Sequence, residues 1–489
     1  MKKNFFRAVV FSAFLLAGTV SVSAQNGYEV PPLNPEYAEM ANQVIDLQLS
    51  DPDAANKAFN KLMRKIRKSE EDLLSVGQYF LEKGVYPCAN QCSRQLYELA
   101  PTYIPGLMFE GEVCMMRKDY GAAGQKFDEV LALDSTNVAA LKRNAFVYKN
   151  INPHVAIEML QKIKRLDPSN YEADKELGDI AYNMNEFADA VNSYKSYFAA
   201  VPQDKRDVRA AENYLQSLYA TQKFFDLSDL VKEFEVLDPN DMVFKRMKFF
   251  AAVENYELEH AKAAMSYIEN KEYPDSNYLY LDYTYAGTLM KELNDFPSAI
   301  QYYEKAMSVD STKLGAIKEL ATLYRQNKEL DKGIETYKFY LKQMGDKAEL
   351  TDYFGLGQQY LAASQQPGLD PAKRAVYVAA GDSVFASIQK ERPDSYLAPL
   401  MRAVINISDP ANPKPEDNVK AYYEEALKLM EGKDDVNSAK LQALRYLAFY
   451  AVQKDMTADA RNYCDQILAI DANDATGKQI DAYLKSIEQ

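Results

Sequence analysis

Acid–base, nucleophilic and metal chemistry draws first on histidine and cysteine, and this chain of 489 residues holds two of the former and four of the latter. His154 follows Pro153 in a short turn between helices, and His260 precedes Ala261 in a second helix. Neither belongs to an H-E-x-x-H pair or stands beside a nucleophile signal, and no G-x-S-x-G occurs. Cys88 and Cys92, four apart, share one face of a helix, where they stay small buried thiols or close a strained bridge. Cys114, in the next helix pair, could approach Cys92 instead, and Cys464 stands apart. Zinc needs more ligands than this cluster supplies, and no histidine lies near it in sequence. Gly355-Leu356-Gly357 is a G-x-G within a helical stretch, without the rest of a phosphate loop, so helix packing explains it. The 71 carboxylates spread over helix faces, where they solvate. These residues assemble no recognisable constellation, so neither an enzyme activity nor a cofactor or metal is expected.

The elements that would position any site are written in a period. Small residues recur at Gly77, Gly111, Ala145 and Gly178, a step of about 34 positions each time. A second small residue follows 12 later at Ala89, Ala123 and Ala190, and the same step links Gly287 to Ala299, Ala321 to Gly333 and Ala448 to Ala460. Closely packed helix pairs need a residue without bulk where their axes cross, and a gap of 12 joins one such site to its counterpart across a short turn. Larger groups follow one and two turns on: Phe127 and Val130, Tyr194 and Tyr197, Tyr303 and Ala306, Tyr337 and Tyr340. Turn signals close the units: A-P-T at 100–102, D-S-T-N at 134–137, D-P-S-N at 167–170, V-P-Q-D at 201–204 and D-P-N-D at 238–241. Proline there stops the second helix, and Asp, Ser or Asn caps the next first helix. Such a period marks a stack in which each unit buries its apolar face against its neighbours.

At these residues the chain resembles the tetratricopeptide-repeat family. Segment 171–204 matches through Leu177-Gly178, Phe187, Ala190, Tyr194, Tyr197 and Pro202, and segment 280–313 through Ala286-Gly287, Phe296, Ala299, Tyr303 and Ala306. The resemblance implies an all-α, right-handed superhelical solenoid of about twelve helix pairs over residues 36–474. An extended segment, 25–35, would precede the array and a capping helix, 475–489, would follow it. Glu110 occupies a position usually apolar, and 208–275 keeps the register poorly, with Glu212 where a small residue is expected. The resemblance also implies a scaffold that binds protein or peptide partners on its concave face. Some chaperone-binding members clamp a terminal carboxylate with Lys and Asn on successive first helices; Glu172, Lys175, Glu176 and Asp179 do not reproduce that set.

Residues 1–24 differ in kind. Lys2, Lys3 and Arg7 precede an apolar run from Ala8 to Val22, ending in Val22-Ser23-Ala24, which reads as a secretory signal cleaved before Gln25. No cysteine ends that run, and no other stretch carries the roughly 18 apolar residues of a membrane span. An exported, periplasmic or secreted protein without an integral membrane anchor is therefore expected. Without the signal the balance is 54 Lys and Arg against 71 Asp and Glu, a net charge of −17. A surface so acidic repels phosphate backbones, which argues against a nucleic-acid partner.

Tyrosine usage points to a binding surface: 36 Tyr and 22 Phe, with no Trp. Many fill packing sites, but Tyr273, Tyr278, Tyr280, Tyr283 and Tyr285 exceed what packing needs. Tyr283 and Ala286 fit the buried stripe of their helix, which turns Tyr285 toward the concave side as an apolar anchor with a hydroxyl handle. Tyr285 and Tyr278, with Lys175, Asp179 and Tyr182 on the first helix of 171–204, are the candidate partner contacts. Long turns at 363–372 and 408–418 are expected to project from one edge. The sequence thus predicts an exported interaction scaffold, with work in envelope assembly or secretion. A glycan-binding helical-repeat protein of the starch-utilisation type is the alternative, disfavoured by the missing lipidation cysteine and the missing tryptophan.

Overall fold

The computed structural model describes residues 28–407 and 415–487. The expected signal, 1–24, and most of the expected turn at 408–418 lie outside the described residues. Among the described residues the fold is all-α, with no strand. Twelve helical hairpins run from Pro35–Leu47 with Pro52–Ile66 to Asn437–Gln453 with Thr457–Ile470, and a further helix, Ala475–Ile487, follows. No helix among the described residues is long and apolar enough to cross a membrane.

The chain divides into two compact units between Met247 and Lys248. Within each, a helix packs on the helices before and after it, and some first helices also touch the next, as Tyr171–Asn183 touches Val208–Ala220. The buried side chains accordingly form successive clusters rather than one core. One runs from Tyr28 to Val147 and the next from Leu141 to Ile180. This is the helical-repeat solenoid that the period predicts.

The small residues do two jobs. Gly287 meets the Ala299 carbonyl, and Gly333 that of Ala321, as crossing points should. At several hairpins the first-helix glycine also receives an aromatic ring from the second helix. A Cβ on Gly178 would stand 2.7 Å from the Tyr194 ring, and one on Gly287 2.5 Å from the Tyr303 ring. Gly111 lies likewise under Phe127, and Gly357 of the G-x-G lies under Phe385.

The turn signals cap as expected at three places. Asn137 accepts from Ala140 N at 3.0 Å, Asn170 from Ala173 N at 3.1 Å and Asp241 from Phe244 N at 2.9 Å. After V-P-Q-D the cap is instead Asp207, because a 3-10 turn, Gln203–Lys205, intervenes. Inside the hairpins a residue with positive φ recurs at Gly84, Lys118, Asn185, Gln222, Tyr256, Asn294, Lys328 and Asp455. The turn expected at 363–372 is shorter. Ala363 and Ser364 remain helical, and Asp370 caps a helix beginning at Pro371, accepting from Lys373 N at 3.0 Å.

The register loss in 208–275 has two visible causes. The second helix of the seventh hairpin is broken into Leu258–Ala264 and Ser266–Glu269. Glu212, where a small residue was expected, is half-buried and hydrogen-bonded to Asp241. All four cysteines are buried free thiols; Cys92 Sγ lies 3.8 Å from Met63 Sδ, so the bridge alternatives are not realised.

Candidate functional site

In the first unit the geometry of the first-helix face follows from the ring-over-glycine packing. Where the second helix supplies a tyrosine, the residue after the glycine binds its hydroxyl. Tyr194 donates to Asp179 at 2.7 Å, and the Tyr303 and Thr288 hydroxyls lie 3.0 Å apart. The second and third hairpins lack that tyrosine. The place that Tyr194 holds relative to Gly178 is taken by Ser93 relative to Gly77, and by Phe127 relative to Gly111. Gln78 and Glu112, the residues following those glycines, are therefore left without a tyrosine hydroxyl from their own hairpins.

Tyr28 supplies it. Its hydroxyl lies 3.1 Å from Gln78 Oε1 and 3.2 Å from Glu112 Oε2, the single proton shared between them. Val30 and Leu33 pack against the same core cluster, and Asn34 caps the helix Pro35–Leu47, accepting from Glu36 N at 2.9 Å. Pro31 and Pro32 hold the strap between those anchors extended. Burial pushes the Glu112 carboxyl above its usual range, against the pull of Arg143, whose Nη2 lies 3.0 Å from Glu112 Oε1. Burial and the Glu112 charge push the Tyr28 phenol up, which keeps it a donor.

Arg143 also lines the adjoining cavity, of about 440 Å³. It is lined by three successive first helices, Ile104–Met116, Val138–Tyr148 and Tyr171–Asn183, and by Leu160 of the second helix Pro153–Leu166. The floor is apolar, with Met115, Ala145, Leu160 and Ile180, and Phe146 stands 45% exposed above it. The rim is charged but neutralised. Lys142 pairs with Glu172 at 2.6 Å, Lys149 with Glu176 at 3.5 Å and Lys175 with Asp179 at 2.9 Å. Such a cleft suits an apolar side chain on an extended segment whose backbone meets the polar rim.

The candidates read from sequence fall unevenly on this geometry. Lys175 lines the cavity. Asp179 is on the same helix but committed to Lys175 and Tyr194, and Tyr182 donates to Gln216 at 3.0 Å. Tyr278 and Tyr285 lie in the other unit. Tyr278 is 4% exposed, donates to the Tyr267 carbonyl at 2.8 Å and stacks on that ring, so it offers no surface to a partner. Tyr285 is half-buried rather than free: its ring stacks on Phe250 with centroids 4.0 Å apart, and its hydroxyl donates to Glu254. Tyr278 and Tyr285 thus pack against the preceding hairpin. Sequence reasoning missed Tyr28, Glu112, Arg143 and Phe146. The signal for Glu112 was present, a carboxylate after a glycine whose ring partner is Phe127 rather than Tyr.

No family model matches the chain. A TPR repeat-containing protein of Methanocaldococcus jannaschii is 22% identical over 316 residues, covering 62% of this chain and 54% of its own length. The protein CTR9 homolog of Arabidopsis thaliana is 22% identical over 332 residues, covering 66% of this chain and 30% of its own. The chain thus spans about half of the first relative and under a third of the second. Among solved structures, the C-terminal part of a TPR repeat-containing protein from Cytophaga hutchinsonii is similar at 18% identity and a TM-score of 0.45, over 55% of this chain and 98% of that one.

Proposed function

We propose that this chain, a tetratricopeptide-repeat protein and hence an interaction scaffold, grips an extended partner segment along the first helices of residues 104–183. The observation that carries this is the cavity at Phe146. Its walls come from consecutive hairpins, its floor is apolar and its rim charges are already paired. An exposed aromatic beside an apolar cleft is the usual centre of binding energy in a protein interface. The basic start and apolar run of residues 1–24 support an exported chain, and work in envelope assembly or secretion is part of this proposal.

The test is capture from an envelope extract with the intact chain and with Phe146→Asp. Proteins that co-elute with the parent chain should be lost from the variant, whose amide exchange in Val138–Tyr148 should be unchanged because residue 146 is exposed. The same proteins on both chains would place the binding surface elsewhere.

A further inference from the structure

We infer that Gln78, Glu112 and Arg143 form a seat for the hydroxyl of a tyrosine on an extended segment, filled in the free chain by its own Tyr28, and that a partner's tyrosine-bearing segment competes for it. The inference rests on reading the first-helix face as a segment-binding surface.

Three observations carry it. The seat exists because two successive hairpins lack the tyrosine that elsewhere satisfies the residue after the glycine, so its acceptors must be served from outside the hairpin. The occupant enters as an extended segment lying on the first helices, its donor 50 and 84 residues from its acceptors in sequence. Arg143 belongs to both the seat and the cavity at Phe146, so the two are continuous. Glu112, buried and held by Arg143, offers an acceptor and no donor while ionised, which selects a hydroxyl over a second carboxylate.

Competition follows from the tether. A strap this short holds its own tyrosine at roughly millimolar effective concentration. A competing segment therefore needs contacts beyond the seat, and an apolar side chain in the Phe146 cavity supplies them. The partner chemistry is a tyrosine and an apolar residue on one extended segment, spaced to reach both places.

The probe is a fluorescent peptide with the sequence of residues 28–34, Tyr-Glu-Val-Pro-Pro-Leu-Asn, titrated by anisotropy into the parent chain and into Tyr28→Ala. The peptide should bind Tyr28→Ala at least about tenfold more tightly than the parent. Replacing its tyrosine by phenylalanine should weaken it about tenfold to a hundredfold, as loss of one hydrogen bond to a charged acceptor would. Equal affinity for both chains, or for both peptides, overturns the seat. Should Tyr28→Ala fail to fold, Tyr28→Phe keeps the ring. Amide exchange in Glu70–Glu82 and Ile104–Met116 must then rise in that variant and fall when the tyrosine peptide is added; unchanged exchange overturns the inference. Phe146→Asp should leave this peptide's affinity unchanged while abolishing partner capture, which separates failure of the seat from failure of the binding cleft.

Discussion

Tyr194 covers Gly178 with its ring and donates its hydroxyl to Asp179, so one side chain both fills the crossing and holds the residue beside it. Two substitutions separate these roles. Gly178→Leu would drive a side chain into the ring and should cost about 1–3 kcal/mol through overpacking. Tyr194→Phe keeps the ring but removes the bond to Asp179 and the acceptor for Asn213, costing about 2–4 kcal/mol. Unfolding of long arrays is not all-or-none, so the measurement is amide exchange in 171–200 rather than a global melt.

Tyr285→Ala should destabilise its hairpin by about 1–3 kcal/mol, since it removes a stacked ring and a hydrogen bond linking the helix Tyr280–Glu292 to Phe250 and Glu254. The sequence reads Tyr285 instead as a binding anchor on the concave side. A local exchange measurement that left both helices as protected as in the parent would restore that earlier reading.

Stability near Glu212 should fall as pH rises from acid to neutral. Burial, followed by the hydrogen bond and charge of Asp241, pushes the Glu212 carboxyl up to about 7 from its ordinary 4.5, with Arg209 opposing and Asp207 adding to the rise. A carboxyl raised on folding contributes stability that is complete below 4.5 and is lost as pH climbs through about 7. Glu212→Gln should flatten that dependence between pH 5 and 8, read as amide exchange in Val208–Ala220 after correction for the intrinsic rate. A slope that survives the substitution would assign the effect to another group.

Asp352 should act in the opposite direction. Burial alone would raise its carboxyl, but Lys318 at 2.6 Å, the Glu349 amide and the Tyr340 hydroxyl outweigh burial and hold it below 3.8. Its contribution is present above that value and lost as pH falls through the depressed one. Asp352→Asn should therefore loosen the helix Leu350–Ser364 at pH 7, and progressively less as the medium is acidified through the depressed value. A loss that stays the same size on acidification would point to shape rather than charge.

N-terminal sequencing of the protein from an exported fraction should begin at Gln25. Recovery with Met1 would remove the export proposal and leave the binding cleft untouched.

The fold was legible because its packing is local. Gly178, Ala190 and Tyr194 lie within one hairpin, so their spacing survives as a pattern in the chain. The candidate site was less so. A buried tyrosine such as Tyr278 and an exposed one have the same letter, and only the Tyr267 carbonyl beside it tells which it is. Tyr28 was invisible for another reason: its acceptors sit in two different hairpins, and no local period encodes a strap that crosses both.

The left-handed residue within the hairpins sets an order of wear. Glycine adopts that conformation freely, yet it stands at Gly84, whereas Lys118, Gln222, Tyr256 and Lys328 hold it at a cost of roughly 1–2 kcal/mol each. Tyr256 combines the least suitable residue with a ring 74% exposed, and the broken second helix begins two residues later. A stack without a common core gives way at its weakest seam, so limited proteolysis should cut the chain first near 256–270. Fragments sequenced early in the digest should then begin or end there, with the hairpins on either side of the cut outlasting it.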